Sequence, residues 1–299
     1  MKSTIYGAVL CLSLWALCPD LSAAQRFMQT AEIVVVYGEE SRAMAETVAA
    51  AYPDIRREIR KSLPWDAEFI PRVELVTDRR LFARAAGGEF FLAYAIPQRY
   101  HIVIDASRAY AQPFTLEATL KHELCHLVLH HHIPPAGLPR WLDEGVCQWI
   151  SSGISELLVV TGTTALERAV VSGSVMKMRD IDTFPADERS VRLAYEQSKS
   201  FIEYIVSNYG RDGLFRILLH ARSGHTVDES IQKGLSMSLS ALEGRWHSHL
   251  RARISWITYL SNNIYTIVFL LGGIATVYGF LLFLKKRREY TDTDDDDGL

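Results

Sequence analysis

The first half of the chain alternates short apolar runs with amphipathic segments. Runs rich in valine and isoleucine predict β-strands, and segments with apolar residues about every 3.6 positions predict helices between them. The predicted strands are 32–37, 72–77, 90–95 and 100–105, and the predicted helices are 39–63, with a break or kink at Pro53, and 78–86. This half therefore predicts a small mixed or antiparallel sheet that packs on helices.

The second half is predominantly helical in pattern. Apolar spacing and capping signals predict helices that begin near Thr115 and near Pro139. Further helices are predicted over 188–209, which Gly210 closes, and over 214–221, 227–233 and 238–252. Residues 154–173 are ambiguous, because 157–160 favour a strand and 165–171 a helix, and 180–185 indicate a loop. The predicted fold class is α+β, with a mainly helical C-terminal half.

Two strongly apolar segments lie near the ends of the chain. Residues 1–24 combine a positive start, an apolar core and small residues before Gln25, which is typical of a cleaved secretory signal peptide. An uncleaved anchor helix is the alternative, but the apolar core is short for a full span. Residues 263–284 contain no charged side chain and are long enough to span the ~30 Å hydrocarbon core. We predict a transmembrane helix there; a buried core helix is the alternative.

The charges beside this segment predict its orientation. The sequence K-K-R-R at 285–288 follows it directly, and positively charged flanks stay in the cytoplasm. The predicted order is a signal peptide (1–24), a folded domain (25–254) on the periplasmic or extracytoplasmic side of the cytoplasmic membrane, the transmembrane helix (263–284), and a cytoplasmic basic and acidic tail (285–299). Small residues four apart in the helix also permit a homodimer.

Composition narrows the classes of partner. The formal net charge of the 299-residue chain is −3, so nothing predicts a nucleic acid partner. Four cysteines are too few for a disulfide scaffold, and two of them lie in the predicted signal peptide.

A metal-binding pattern lies in the helix that begins near Thr115, where residues 122–126 read H-E-L-C-H. Helical residues four apart lie one turn apart on the same face, so the two imidazoles can converge on one metal ion. Glu123 then lies beside the metal, where it can take a proton from a bound water. The spacing therefore predicts His122 and His126 as metal ligands and Glu123 as the general base.

The next helix supplies a candidate third ligand. A zinc site that performs chemistry needs three protein ligands and one open position. Residues 138–149 read L-P-R-W-L-D-E-G-V-C-Q-W, and Glu144 is the candidate. Its neighbour Asp143 is rotated by about 100° on a helix, so only one of the two carboxylates can face the metal. We therefore predict one Zn²⁺ ion held by two histidines and Glu144.

The patterns H-E-L-C-H at 122–126 and W-L-D-E-G at 141–145 resemble the gluzincins, the peptidase MA-like zinc metallopeptidases. The segments 194–205 and 208–210 are similar to the helical region that follows the zinc helices in bacterial peptidase MA-like proteins. The resemblance covers roughly residues 90–250. It implies a zincin-type active-site helix and a protein or peptide substrate.

The resemblance also implies roles outside the ligand set. In gluzincins the strand before the zinc helix tends to be a sheet edge, which can hold an extended peptide by main-chain hydrogen bonds. Residues 90–95 or 100–105 are the candidates, with two ordinary interior strands as the alternative. Gluzincins also commonly use a tyrosine or histidine after the third ligand to stabilise the oxyanion. Tyr195 matches this position, and Tyr204 is the second candidate.

Other side chains close to the motifs affect the site. We expect the histidines at 130–132 to be solvated at the end of the zinc helix, where the helix dipole favours them. Gln148 stands where many gluzincins carry an acidic residue that supports a zinc histidine, so we expect weaker support here. Cys125 and Cys147 lie on helices that must meet at the metal. Outside the cytoplasm they can form a disulfide; two separately buried thiols are the alternative.

The function predicted from these observations is a zinc-dependent endopeptidase anchored in the membrane. The alternative is a catalytically inactive, zinc-stabilised module that holds a partner at the membrane. An aminopeptidase is less consistent with the sequence. No glycine-rich segment containing a glutamate, similar to the amine-anchoring motif of gluzincin aminopeptidases, precedes His122.

Overall fold

A computed structural model describes residues 25–89, 91–109, 115–151, 164–182 and 187–294. The predicted signal peptide, the predicted strand at 157–160 and the last five residues of the predicted tail lie outside the described residues. The described chain is mostly helical with one small sheet, so the predicted α+β class is confirmed.

The sheet is mixed and is formed by five strands of the described chain in the order β1-β2-β3-β5-β4. The strands are β1 (Arg26–Gln29), β2 (Val34–Tyr37), β3 (Arg72–Val76), β4 (Ala93–Ile96) and β5 (His101–Asp105). The three inner strands run parallel, and each outer strand is antiparallel to its neighbour. The β1 strand was not predicted, and β4 begins later than predicted.

The helices follow the predicted pattern closely. They are α1 (Arg42–Ser62), α2 (Arg79–Ala86), α3 (Leu116–His132), α4 (Arg140–Ile150), α5 (Ala165–Ser172), α6 (Glu188–Arg222), α7 (Val227–Leu235) and α8 (Leu239–Asp294). The Thr115 hydroxyl caps α3 by accepting from the backbone N–H of Ala118 at 3.1 Å, as the capping signal predicts. Pro53 lies inside α1 and does not end it.

The core is built in successive layers. Helices α1 and α3 pack side by side and contact the sheet, α1 at β1 and β2 and α3 at β4 and β5. Helix α4 packs on α3, α6 packs on α4, and α7 packs on α6. Helix α3 is therefore enclosed between the sheet and the second helical layer, which explains why most of its residues are buried.

Helix α6 is broken at Gly210, whose backbone has φ 71° and ψ 171°. This left-handed conformation suits glycine because a Cβ atom would be strained there. The predicted helices 188–209 and 214–221 are therefore the two halves of one element, and the predicted end at Gly210 is the break between them.

Helix α8 joins two elements that were predicted separately. Its first turns pack into the domain through Leu242, Trp246 and Leu250, all of them buried. The same helix continues without interruption through Ile264–Phe283, an exposed stretch long and apolar enough to cross a membrane. The polar pair Asn262-Asn263 does not interrupt the helix between the two parts.

Tight packing fixes α4 against α6. A Cβ atom added to Gly145 would lie 2.6 Å from the carbonyl oxygen of Ser198 and 2.7 Å from a side-chain carbon of Ile202. Trp141 packs edge-on against Phe201 at 5.3 Å between ring centroids, and both side chains are buried. The glycine and the tryptophan of W-L-D-E-G therefore set the distance between these two helices.

We expect Gly145→Ala to destabilise the protein by about 1–3 kcal/mol, because the new methyl group has no space against α6. Gly244 on α8 is the matched control, since a Cβ atom there meets nothing within 4 Å. Gly244→Ala should leave stability unchanged or raise it slightly through helix propensity. Thermal unfolding of both variants checks this, and an equal melting temperature for Gly145→Ala and the parent would contradict the close approach.

Candidate metal centre

The three predicted ligands converge between α3 and α4. The Nε2 atoms of His122 and His126 lie 3.1 Å apart. One oxygen of Glu144, Oε2, lies 3.6 Å from each of these nitrogens. All three side chains are buried. The structure therefore brings the three predicted ligand atoms together in a compact triangle.

The dimensions of this triangle fit a zinc ion. Tetrahedral bonds of ~2.0–2.1 Å place neighbouring ligand atoms about 3.3–3.5 Å apart. A second cluster of possible ligands in the described chain contains His126, Asp143 and Cys147. Cys147 is bonded to another cysteine there and has no thiolate to offer. Within the described residues, His122, His126 and Glu144 are therefore the group whose atoms can hold a metal ion while the bridge is intact.

Asp143 contacts His126, a predicted ligand, and does not itself join the triangle. Its Oδ1 atom lies 2.8 Å from Nδ1 of His126. Since an ionised carboxylate only accepts hydrogen bonds, Nδ1 of His126 must carry the hydrogen, and Nε2 is the nitrogen that faces His122 and Glu144. The contact of Asp143 with His126 was not predicted from the sequence, although the two neighbouring carboxylates do face different atoms. The buried side chain of Gln148 does not make this contact, and its amide nitrogen has no hydrogen-bond partner among the described residues.

The expectation that the histidines at 130–132 are solvated holds for the exposed His131, whereas His130 and His132 are half-buried, and all three form hydrogen bonds. Nε2 of His130 donates to Oδ2 of Asp143 at 2.9 Å, so this carboxylate holds two histidines at once. His131 forms a hydrogen bond with the Tyr100 hydroxyl at 2.9 Å. His132 donates to the carbonyl oxygen of Asp66 at 3.1 Å. These bonds join the end of α3 to other elements, which local helix spacing cannot reveal.

Burial and charge act in opposite directions on the ionisable groups of the site. Burial would raise the pKa of Glu144, but His126 and His122 outweigh it and lower that pKa well below its ordinary value. Burial would likewise raise the pKa of Asp143, but the charges and hydrogen bonds of His126 and His130 outweigh this effect and lower it. Burial would lower the pKa of His126, yet Asp143 and Glu144 raise it well above its ordinary value. Two ionised carboxylates thus face the imidazoles and favour a cation between them.

Tyr195 reaches the site from α6. Its hydroxyl donates to Oε1 of Glu144 at 3.2 Å, and its side chain is buried. The guanidinium Nε of Arg140 lies 3.8 Å from the same oxygen. Glu144 therefore directs one oxygen to the histidines and the other to Tyr195. Tyr204, the second candidate, packs against the rings of Tyr209 and His249 and does not line the cleft described next.

A cleft of about 260 Å³ opens onto His126 and Glu144, two of the three predicted ligands. One wall carries Glu123, His126 and Glu144, and Tyr94 and Ala95 of β4 contribute to the other. β4 is an edge of the sheet within the described chain, whereas β5 lies between β3 and β4. Of the two candidate strands, the structure therefore identifies β4 as the edge strand beside the site.

The backbone of β4 alternates between the sheet and the open edge. The N–H of Asp105 donates to the carbonyl oxygen of Leu92 at 2.8 Å. In an antiparallel pair, hydrogen-bonded positions alternate with positions whose N–H and C=O point away from the partner. The register pairs Ala93 with Ile104, so the main-chain groups of Ala93 and Ala95 point to the open edge.

The cysteines of α3 and α4 form a disulfide. Cys125 and Cys147 are bonded to each other, their Cα atoms lie 5.4 Å apart, and both are completely buried. Of the two alternatives from the sequence, the structure contains the bridge rather than separate thiols.

Two ligands from an H-E-x-x-H helix and one glutamate from the next helix are an arrangement typical of metallopeptidases. Comparison with protein families agrees with this class. Residues 86–252 match the model of the Peptidase MA superfamily, and the chain belongs to this family. A search of curated proteins found no match to the chain.

We expect Asp143→Asn to weaken zinc binding about 10–100-fold, because an amide no longer fixes the His126 tautomer with a charged acceptor. Chelator competition with the purified protein measures this. Asp212→Asn, an exposed position on α6, is the control and should bind zinc as the parent does. Unchanged zinc affinity in Asp143→Asn would show that the hydrogen bond to His126 does not support the ligand.

Proposed function

We propose that this chain is a zinc-dependent endopeptidase that hydrolyses peptide bonds outside the cytoplasmic membrane. The observation that carries the proposal is the triangle of His122, His126 and Glu144. His126 and Glu144 line a cleft that Glu123 also lines. The family supports a peptidase, and the two-histidine, one-carboxylate donor set with an open position suits catalytic zinc.

The proposed reaction divides between the metal ion and Glu123. A bound zinc ion supplies a Lewis acid that polarises the scissile carbonyl and lowers the pKa of its water towards ~7. Glu123 then takes the proton of the attacking water and delivers it to the leaving amine, first as base and then as acid. Glu123 is almost fully buried, and exclusion of solvent strengthens the electrostatic contribution of a carboxylate.

The edge strand supports a peptide substrate. An extended peptide can pair with the outward main-chain groups of Ala93 and Ala95, which places its backbone along β4 beside Glu123. Main-chain pairing does not require a free substrate terminus. This mode of binding therefore favours an endopeptidase over an aminopeptidase. The sequence also has no amine-anchoring motif before His122, which favours the same choice.

Tyr195 is our proposed donor to the developing oxyanion. The resemblance to gluzincins suggests this role, and the contact with Glu144 supports it because the hydroxyl already lies beside the metal ligands. The same contact also supports a second role, in which Tyr195 orients Glu144. The two roles are separable by experiment.

We further propose that α8 anchors the domain in the cytoplasmic membrane. Ile264–Phe283 is long and apolar enough to cross a bilayer, and the basic residues 285–288 follow it. By the charge rule the C-terminus is then cytoplasmic and the cleft extracytoplasmic. A signal peptide at 1–24 predicts the same orientation.

Glu123→Gln should reduce peptide cleavage at least about a hundredfold while zinc stays bound, because the amide keeps the shape of the side chain but cannot take a proton. Cleavage of a mixed peptide library, read by mass spectrometry, is measured together with zinc content. Glu117→Gln, exposed in the first turn of the same helix, is the control and should cleave normally.

Two outcomes would contradict the proposed function. Equal cleavage by Glu123→Gln and the parent would show that another group activates water. Stoichiometric zinc with no cleavage of any peptide by the parent would instead support the inactive binding module.

Tyr195→Phe should lower kcat about a hundredfold at saturating zinc, since loss of one oxyanion donor typically costs that much. Tyr204→Phe on the same helix is the control and should keep its rate. If zinc affinity alone falls, and excess zinc restores the rate of Tyr195→Phe, then Tyr195 orients Glu144 and does not act on the substrate.

A further inference from the structure

The disulfide lies within one helical turn of every proposed metal ligand. Cys125 directly precedes His126 and lies three residues after His122, and Cys147 lies three residues after Glu144. Helical residues three apart are neighbours on the helix surface. The covalent link between α3 and α4 is therefore located at the place where these helices present the ligand atoms.

The disulfide matters because a metal site requires its ligand atoms to be placed accurately. Metal geometry requires ligand atoms to be held within about 0.5 Å of their positions. The two helices are joined along the chain by residues 133–139, which contain only a short 3₁₀ turn, Pro135–Gly137. Across the interface, Asp143 contributes hydrogen bonds to two histidines, and the disulfide contributes the covalent connection.

The disulfide is also inaccessible once the protein has folded. Both cysteines have 0% exposed surface. Thiol–disulfide exchange requires a thiolate to reach one of the sulfur atoms, so the native bridge is protected from reductants in solution. The oxidation state of the pair is therefore set while the chain folds and is kept afterwards.

We propose that the Cys125–Cys147 bridge is a positioning device that makes tight zinc binding depend on oxidative folding. A chain that folds in a reducing cytoplasm lacks the link and binds zinc weakly, and a chain oxidised after export acquires a preorganised site. This inference rests on the proposed zinc site and on the proposed extracytoplasmic location, but not on peptide hydrolysis. Cytoplasmic proteins would thereby be protected from the unexported chain.

The oxidation step has a simple balance. The thiolate of one cysteine attacks the disulfide of a thiol–disulfide oxidoreductase and forms a mixed disulfide. The thiolate of the other cysteine then displaces the oxidoreductase, which leaves as a dithiol. The two thiols of this chain lose two electrons and two protons in total, and the partner disulfide gains them.

The test compares zinc affinity in two oxidation states of the same mature chain, which lacks residues 1–24 and is purified in detergent. One sample is unfolded, reduced and refolded with a phosphine reductant, and the other is treated identically but refolded with oxidised glutathione. Zinc affinity is measured by chelator competition, and helix content by circular dichroism. After signal-peptide removal only Cys125 and Cys147 remain, so thiol counting in denaturant reports their state directly.

We expect the reduced sample to bind zinc about 10–100-fold more weakly at unchanged helix content, the range seen when supports of metal ligands are lost. The variant Cys125→Ala/Cys147→Ala should be equally weak, and its affinity should not respond to the reductant. In the reduced wild-type chain the free Cys147 thiol joins a possible ligand group with His126 and Asp143. The single variant Cys147→Ala lacks both the bridge and this thiol, so it should bind zinc as weakly as the double variant and keeps the test decisive if the double variant fails to fold.

Three results would overturn the proposal. The first is that the zinc affinities of the reduced and oxidised samples agree within twofold. The second is that protein isolated from its native compartment contains two free thiols. The third is that reduction lowers the helix content. The last would mean that the bridge supports the whole fold rather than the ligands. Because zinc binding is the readout, this inference can fail while Glu123-dependent cleavage is observed, and the reverse can also occur.

Discussion

The contact between α3 and α4 is the constraint on which the rest of the structure depends. Two imidazoles from one helix and a carboxylate from the next must meet at a single point, with nitrogen and oxygen atoms 3.1–3.6 Å apart. Buried groups of this kind are costly unless a cation or a hydrogen bond compensates them. The surrounding elements can be understood as the means of keeping these atoms together.

Several independent contacts serve that purpose. Gly145 allows α4 to lie close to α6, and Tyr195 on α6 bonds the outer oxygen of Glu144. Asp143 fixes the tautomer of His126 and binds His130. The sheet supports α3 from the opposite side and places its edge strand along the cleft. Ligand position, cleft and edge strand are therefore consequences of one packing arrangement.

The parts of this arrangement that depend on local spacing could be predicted from the sequence. The H-E-x-x-H spacing located both histidines because helix geometry alone puts residues four apart on one face. The rotation between neighbours on a helix distinguished Glu144 from Asp143. Capping at Thr115 located the start of α3, and Gly210 located the break within α6, for equally local reasons.

The parts that depend on tertiary contacts could not be predicted in this way. The bonds of Asp143 to His126 and His130 cross between helices, and their partners are separated by 17 and 13 residues. The β1 strand is short and largely exposed, so its sequence has little apolar pattern and its existence depends on pairing with β2. The continuity of α8 was not predicted either, because the segments 238–252 and 263–284 carry separate local patterns.

The most direct test of the account is X-ray absorption spectroscopy at the zinc edge of the metal-loaded protein. We predict one zinc ion per chain with only nitrogen and oxygen neighbours at ~2.0–2.2 Å, two of them from imidazoles, and one position occupied by exchangeable solvent. A sulfur neighbour at ~2.3 Å would contradict it, as would a shell of four protein ligands.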